Sequence, residues 1–295
     1  MSELIPYISN RLVIPEGQFT AIIGSHPSKG ARSPILWNAA YEALGENCSM
    51  FPFDIDKSQL PNLLDWLKDN PKFAGGAVTV PHKELIAGLL TEDSLHASAK
   101  GILAVNSLYR SKSGELYGAN TDGLAAAQVL SELGLNLEDT VVVFGFGGVS
   151  KALVNGIKSK VKKIIVITRS YNKPDAIKLA EWMKVSLCSP AESGMAIKLA
   201  TVLINGTILG SAPDNVEQSP LLSEHRNNHS SVKIAFDVVY NPSRTVFLRA
   251  IPDSAVFSNG IRMNLLQAVQ AFKLSHKCLP LSKIELAMAT AANAL

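Results

Sequence analysis

The stretch Val141-Val-Val-Phe-Gly-Phe-Gly-Gly-Val-Ser-Lys-Ala-Leu153 confines this chain to a narrow class of folds. A β-branched run ends in a glycine-rich turn, and the turn opens into an Ala/Leu/Val-rich segment of helical character. A strand, a tight turn and a helix in that order aim a helix N-terminus, with its unpaired amides, at one point. That is the layout for holding a dinucleotide pyrophosphate. Gly145 allows the tight turn, Gly147 lets the backbone approach the phosphates, and Gly148 and Val149 follow it. Ser150 takes the small-residue position where helix meets strand. Glycine-rich strand–helix turns are common, so the surroundings must narrow the choice.

The next element does so. Lys163-Ile-Ile-Val-Ile-Thr168 reads as the second parallel strand, and it runs into Arg169-Ser170-Tyr171-Asn172-Lys173. A carboxylate at this strand end would grip the ribose 2′-hydroxyl of NAD. Two cations and no acid suit the 2′-phosphate of NADP instead. The bland alternative makes Arg169 and Lys173 an ordinary solvated loop. NADP is the expected cofactor.

A nucleotide domain often comes first in its chain, whereas 140 residues precede Val141 here, and supplying a substrate site is the expected use for them. At 295 residues the chain is long enough for two domains. Hydrophobic content of 47% with 18% charged residues describes a packed protein, and a net charge of +3 without a long basic run gives nucleic-acid binding little support. Cys48, Cys188 and Cys278 form no CxxC pair, so reduced thiols are expected. Met1-Ser-Glu-Leu-Ile-Pro-Tyr7 lacks the basic region and apolar core of a signal peptide. No uninterrupted apolar run of about 18 residues is present, so no membrane span is expected. The expectation is a cytoplasmic protein.

Strand-like and helix-like segments alternate in both halves. Phe19–Gly24, Cys48–Ile55 and Gly76–Val80 read as strands. Helices are expected from Ser33-Pro34, as N-cap and first position, through Leu44, over Leu60–Lys68, and from Pro81 through Leu90. Leu103–Tyr109 and Leu116–Asn120 flank a turn and read as a hairpin. Asp122–Leu130 reads as a helix leading into the nucleotide domain. Val185–Cys188, Thr201–Asn205, Lys233–Val239 and Ala255–Asn259 are further strand candidates, with helical periodicity over Gly260–His276 and Ile284–Leu295. Asp214–Asn228 looks like a mobile loop. The fold class is therefore α/β, with two domains on mainly parallel sheets. The boundaries are 1–121, completed by 262–295, for substrate binding and catalysis, and 122–261 for a Rossmann-like NADP domain.

Open α/β sheets bind ligands at the carboxyl ends of their strands. In the first half those ends carry Ser25 and His26; Thr79, Pro81 and Lys83; Asn106 and Ser107; and Asn120, Thr121 and Asp122. Hydroxyls and amides with one lysine and one aspartate suit a small polyhydroxylated substrate, since a buried hydroxyl both donates and accepts. Lys83 and Asp122 could form a proton-relay pair for alcohol oxidation. Spacing alone leaves open that Lys83 is a solvated helix residue and Asp122 an N-cap. His225 and His229 share an i,i+4 spacing in a polar segment with no third ligand nearby, so no metal is expected. His26 and His82 read as hydrogen-bonding bystanders.

Gly76-Ala-Val-Thr-Val-Pro-His-Lys83, Ala104-Val-Asn-Ser107, Gly118-Ala-Asn-Thr-Asp122, Gly145-Phe-Gly-Gly-Val-Ser150, Thr168-Arg-Ser-Tyr-Asn-Lys173, Ile204-Asn-Gly-Thr207, Asp237-Val-Val-Tyr-Asn-Pro242 and Gly260-Ile-Arg-Met-Asn-Leu-Leu-Gln267 occur in the order seen in shikimate dehydrogenases. From about Ala21 to the C-terminal helix the chain resembles that family. The resemblance implies an NADP-dependent oxidoreductase of aromatic amino acid biosynthesis, reversibly reducing 3-dehydroshikimate to shikimate or acting on a related cyclic hydroxy acid. It implies Lys83 and Asp122 as the catalytic pair. Thr79, Asn106, Asp122 and Gln267 would bind substrate hydroxyls, Ser33 would lie near the carboxylate, and Tyr240 beside the same pocket. Thr207, Val238 and Gly260 would approach the nicotinamide half, with Met263 near the ring, and Thr168, Arg169, Ser170 and Lys173 would line the adenosine end. The C-terminal helix would return to the first domain, in a monomer or homodimer.

Departures bear on the substrate. The family's paired serines, which bind the carboxylate, appear as Ala31-Arg32-Ser33. The asparagine before Val-Thr is Ala77, the histidine before Asn38 is Trp37, and the strand-end asparagine is Thr168. Arg32 either replaces the lost hydroxyl with a charged donor or points to solvent. A quinate-like or amino-substituted ring is thus one alternative, and an NADP-binding regulatory module without turnover is another.

Overall fold

Phe19, Ala21 and Ile23 fall in one apolar core and Ile22 in another. This period-two alternation organises the first of two units, Met1–Thr121 with Leu265–Leu295 and Asp122–Asn264, into which the chain divides. The computed structural model describes residues 3–14, 16–221, 229–276 and 280–294. In chain order the first unit holds β1 (Glu3–Leu4), β2 (Val13–Ile14), β3 (Gln18–Gly24), α1 (Ser33–Leu44), β4 (Cys48–Asp54), α2 (Leu60–Asp69), β5 (Phe73–Val78), α3 (Lys83–Leu89), β6 (Ser107–Arg110) and β7 (Leu116–Ala119). The second holds α4 (Asp122–Glu132), β8 (Thr140–Phe144), α5 (Gly148–Ile157), β9 (Lys163–Ile167), α6 (Pro174–Met183), β10 (Ser186–Cys188), α7 (Gly194–Leu199), β11 (Val202–Asn205), β12 (Ile234–Asp237), α8 (Val246–Arg249) and β13 (Val256–Ser258). The division falls inside α9 (Ile261–Ser275), and α10 (Leu281–Asn293) follows.

The five-stranded sheet of the first unit runs β4-β3-β5-β6-β7. Its first three strands are parallel, and the β6–β7 hairpin adds two antiparallel pairings at one edge. The parallel character expected for this half is thus confined to β4, β3 and β5. Leucines of α2 with Ile86 and Ala87 of α3 fill one core; α1, α9 and α10 fill the other with Trp37, Tyr41 and Phe272. At the outer edge strand β4, side chains satisfy backbone groups that would otherwise stay unpaired. Asn38 exchanges two bonds with Met50, and Asn10 binds Pro52 O and Asp54 N. Ser33 is the first helical residue of α1 rather than its cap, because Leu36 N already bonds to Arg32 O (3.1 Å).

The second unit's sheet is parallel throughout, in the order β10-β9-β8-β11-β12-β13. Its first strand is central, and the order reverses between β8 and β11, which opens a crevice at their carboxyl ends. Val142, Phe144 and Leu203 pack with α7 and α8, while Val141 and Val143 are buried on the other face. Burial on both faces is why these strands read as unbroken apolar runs. α4 and α5 cross at very close range. A Cβ on Gly156 would lie 2.3 Å from Gly123 O.

The register of β11 and β12 sets Asn205 beside Asp237, and both are completely buried. Asp237 Oδ1 accepts from Asn205 Nδ2 (3.0 Å) and Val239 N (2.9 Å), and its Oδ2 accepts from Thr245 Oγ1 (2.6 Å). Loss of water outweighs these donors and pushes the Asp237 carboxyl up to about 6.

Two outcomes are expected. Gly156→Ala should cost about 2 kcal/mol, since backbone blocks the new methyl, while Gly88→Ala on the open face of α3 should add up to about 1 kcal/mol. Urea unfolding reads both. Because the folded protein binds the Asp237 proton more tightly than the unfolded chain, this group's stabilising contribution is fully present below its ordinary carboxylate range. It is lost as pH rises through about 6. Moving from about pH 7.5 to about pH 5 should therefore add on the order of 1 kcal/mol, measured as the difference between the protein and Asp237→Asn.

Candidate functional site

In the first unit Thr79 and Lys83 follow the carboxyl end of β5, and Thr121 follows β7. Asn106 and Ser107, expected at a carboxyl end, lie instead at the amino end of β6, because β6 runs antiparallel to β5. The segment after β5 is fastened on both sides: Val78 N bonds to Asn106 O (2.8 Å), Thr79 N to Ile23 O (2.9 Å), and Val105 N to Lys83 O (2.9 Å). Thr79 and Lys83 are thereby held next to Asn106. Asn106 Nδ2 donates to Thr121 Oγ1 (3.0 Å) and to Gln267 Oε1 (3.4 Å), while its Oδ1 accepts from Thr121 N (2.8 Å). Thr121 Oγ1 donates to Gln267 O (3.1 Å). Thr79, Lys83, Asn106 and Gln267 therefore stand on one fixed frame. Lys83 is half-buried at the start of α3. His82 before it is buried, with Nε2 on Ile55 O (3.0 Å). Ser33 is buried in the first turn of α1.

Arg32 does not point to solvent. Its half-buried guanidinium donates to Ala292 O (3.1 Å) in the last turn of α10, a place where helices leave carbonyls unpaired. Trp37 is completely buried among Tyr41, Phe272 and His276, and Ala77 lies in the same core. Asp122 is the buried first residue of α4, in the second unit.

The glycine turn of the second unit has the geometry its spacing implies. Gly145 takes φ +91°, in the left-handed region, and a Cβ there would meet Thr207 Cγ2 at 2.8 Å. Gly147 precedes α5, where no side chain caps the helix, so the amides that open with Gly148, Val149 and Ser150 are available to an anion. Ser150 is completely buried and donates to Gly206 O (3.0 Å), tying α5 to the segment after β11. At the end of β9, Thr168 is buried with Oγ1 accepting from Ser170 N (3.2 Å), while Arg169 and Lys173 are exposed. This gives a cationic rim one strand away from the turn.

Thr207, Val238 and Gly260 also meet in this unit. Thr207 N and Oγ1 both donate to Asn205 Oδ1, at 3.0 and 2.7 Å. Gly260 lies against Val238, where a Cβ would come within 2.1 Å of the carbonyl oxygen. Tyr240 is half-buried just beyond β12, and Met263 is buried on α9. Asn205, Asp237 and Thr245, which hold this group together, carry no role in the sequence reading. Asn205 and Asp237 are marked only as members of quoted motifs and as polar residues closing the apolar strands Val202-Leu-Ile-Asn205 and Ile234-Ala-Phe-Asp237, and Thr245 carries no such mark.

His225 and Cys278 lie outside the described residues, and His229 Nε2 engages Ala250 O (2.8 Å). Cys48 and Cys188 are unbridged. Among the described residues no cluster of three His, Cys, Asp or Glu side chains is placed to hold a metal, and no helix is long and apolar enough to cross a membrane.

A family model described as the shikimate dehydrogenase substrate binding domain matches residues 22–108. The shikimate dehydrogenase (NADP(+)) of Methanothermobacter thermautotrophicus is 34% identical, over 86% of this chain and 89% of that protein. The chloroplastic bifunctional 3-dehydroquinate dehydratase/shikimate dehydrogenase of Arabidopsis thaliana is 31% identical over 93% of this chain, which spans 46% of that protein's length. The crystal structure of shikimate 5-dehydrogenase from Thermus thermophilus in complex with NADP(H) and shikimate superposes with a TM-score of 0.78, over 93% of this chain and 99% of that one, at 28% identity. With that extent of identity along most of its length, the chain belongs to the shikimate dehydrogenase family.

Proposed function

We propose that the protein is an NADP-dependent oxidoreductase that reversibly reduces 3-dehydroshikimate to shikimate or acts on a closely related cyclic hydroxy acid. The observation that supports this reading is the frame of Thr79, Asn106, Thr121 and Gln267, to which the backbone of half-buried Lys83 is tied through Val105 N. Such a frame suits ring hydroxyls by giving and receiving hydrogen bonds, and in this reading Lys83 is the proton carrier beside them. The relatives named above support the same reaction class and the same coenzyme.

In this reading residues 1–121, with the C-terminal helices, bind substrate, and residues 122–261 bind the coenzyme. When bound, NADP supplies or accepts the hydride. Lys83 gives a proton to the ketone oxygen on reduction and takes it back on oxidation, and Asp122 supplies the carboxylate of the pair. Thr79, Asn106 and Gln267 orient the ring hydroxyls, Ser33 meets the substrate carboxylate, and Tyr240 borders the ring. The amides opening α5 receive the pyrophosphate, and Arg169 with Lys173 read the 2′-phosphate. We take the setting to be cytoplasmic and the working form a monomer or homodimer.

A quinate-like or amino-substituted ring is the second reading, favoured by one observation. Ala31 removes a hydroxyl from the carboxylate end, and Arg32 is turned onto α10. Initial rates with shikimate, quinate and amino analogues separate the two readings.

Lys83→Ala should lower turnover by roughly 10²–10⁴-fold while leaving NADP affinity within error of the parent, because the lost group moves a proton. Retained turnover removes the role. Arg169→Ala should weaken NADP by about 10–100-fold and NAD hardly at all, as expected for one charge-assisted bond to phosphate. Equal losses for both coenzymes mean that Arg169 does not read the 2′-phosphate.

A further inference from the structure

Asp237 has no part in the chemistry proposed above, yet a carboxyl completely enclosed at the end of an apolar strand is costly to hold. Its bonds lead in two directions. Oδ1 accepts from Val239 N, so that oxygen remains an acceptor whether or not the other oxygen carries a proton. An acceptor at this point obliges Asn205 to present its Nδ2, and Asn205 Oδ1 must then face away, toward Thr207. Together with the Leu209 carbonyl, which accepts from the same Nδ2 (2.9 Å), the carboxyl therefore decides which way round the Asn205 amide sits.

That choice sets the Thr207 rotamer. The Thr207 hydroxyl gives its proton to Asn205 Oδ1 (2.7 Å) and accepts from Leu209 N (3.1 Å), while its methyl stands toward Gly145. An amide turned the other way would set two donors against each other at Thr207 and leave no acceptor for the hydroxyl. In the second direction, the Val239 amide held by Asp237 fixes the backbone at Val238, whose own N bonds to Asn205 O (3.0 Å). Gly260 N bonds to Val239 O (3.1 Å) and closes the same group. One buried carboxyl thus governs Thr207, Val238 and Gly260 together. Thr245 holds its far oxygen and at the same time caps α8 through Leu248 N (3.2 Å).

We propose that Asp237 is a positioning residue for the nicotinamide end of the coenzyme site, acting through Asn205 on Thr207 and through the Val239 amide on Val238. The proposal rests on the coenzyme reading above. It differs from a purely structural role in acting on one half of the ligand. The glycine turn and Arg169 stand at β8 and β9, and none of the bonds just described runs to Arg169 or Lys173.

Calorimetric titration of the full chain with NADP+ and, separately, with adenosine 2′,5′-bisphosphate tests it. Asp237→Ala should weaken NADP+ on the order of tenfold or more and change adenosine 2′,5′-bisphosphate by less than about twofold. Asp237→Asn keeps an acceptor for Asn205 and Val239, so it should return NADP+ affinity to within about threefold of the parent. Asn205→Ala leaves the Asp237 bonds to Val239 and Thr245 in place and releases Thr207 and the Leu209 carbonyl. It should likewise weaken NADP+ only, and it decides the matter if Asp237→Ala does not fold. Parallel loss of both ligands, an Asn variant as weak as the Ala variant, or unchanged NADP+ binding in Asn205→Ala overturns the proposal. A parent protein that does not bind adenosine 2′,5′-bisphosphate overturns the coenzyme reading first, and the positioning role with it.

Discussion

The hydrogen bond from Ser150 Oγ to the Gly206 carbonyl governs the geometry on which the second unit depends. It joins the first turn of α5 to the segment leaving β11, and these flank the point where the strand order reverses. Neither partner has room for bulk. A Cβ on Gly206 would lie 2.2 Å from Ser150 Oγ, and Ser150 is itself fully enclosed. Small residues here leave the opening of α5 without a capping side chain, which keeps its amides and the positive end of its dipole for a ligand. A crevice at a reversal of strand order follows from topology; that it suits an anion follows from these few small side chains.

From that point outward, register carries the arrangement. Parallel pairing sets Asn205 level with Asp237, so the polar residue closing one strand finds its partner in the polar residue closing the next. Two such residues on isolated strands would each be a buried liability. Side by side they are mutually satisfied and have acceptors and donors left over to hold the loops above them. The loops that follow β11 and β12 are therefore anchored from below by Asn205 and Asp237.

Much of this was legible in the chain. Val141–Phe144 and Val202–Asn205 are apolar runs bounded by glycine or a polar residue, the pattern of a strand covered on both faces. Three helices escaped that reading for identifiable reasons. In α6 only Ala180 and Met183 are buried while Ile177 and Trp182 are exposed, so no apolar stripe marks it. The helices α7 and α8 are too short to show a period. The hairpin begins later than its apolar run because Leu103 adopts φ +48° and lies exposed. At the site, Thr79, Lys83, Asn106 and Gln267 could be picked out as strand-end or family-pattern residues. The Asn205–Asp237–Thr245 network could not, because it exists only once the register of β11 and β12 is known.

The segment between β3 and α1 shows what the departures at Ala31 and Arg32 do physically. Ser28 is fastened by its amide (2.9 Å) and its hydroxyl to the buried carboxylate of Asp54 at the end of β4. Four residues on, Arg32 is fastened to Ala292 O on α10, and Ala31 N returns to Pro27 O (3.0 Å). The turn that presents Ser33 is thus clamped at both ends, once to the sheet and once to the last helix. A hydroxyl at position 31 would add a contact for an anion. A guanidinium at position 32 instead adds a tie that orders the turn and satisfies a helix-end carbonyl. Under the proposed function, recognition of a substrate carboxylate at this end would fall on the single hydroxyl of Ser33, and the rigid setting of the turn would recover as preorganisation part of the affinity forgone with a second hydroxyl.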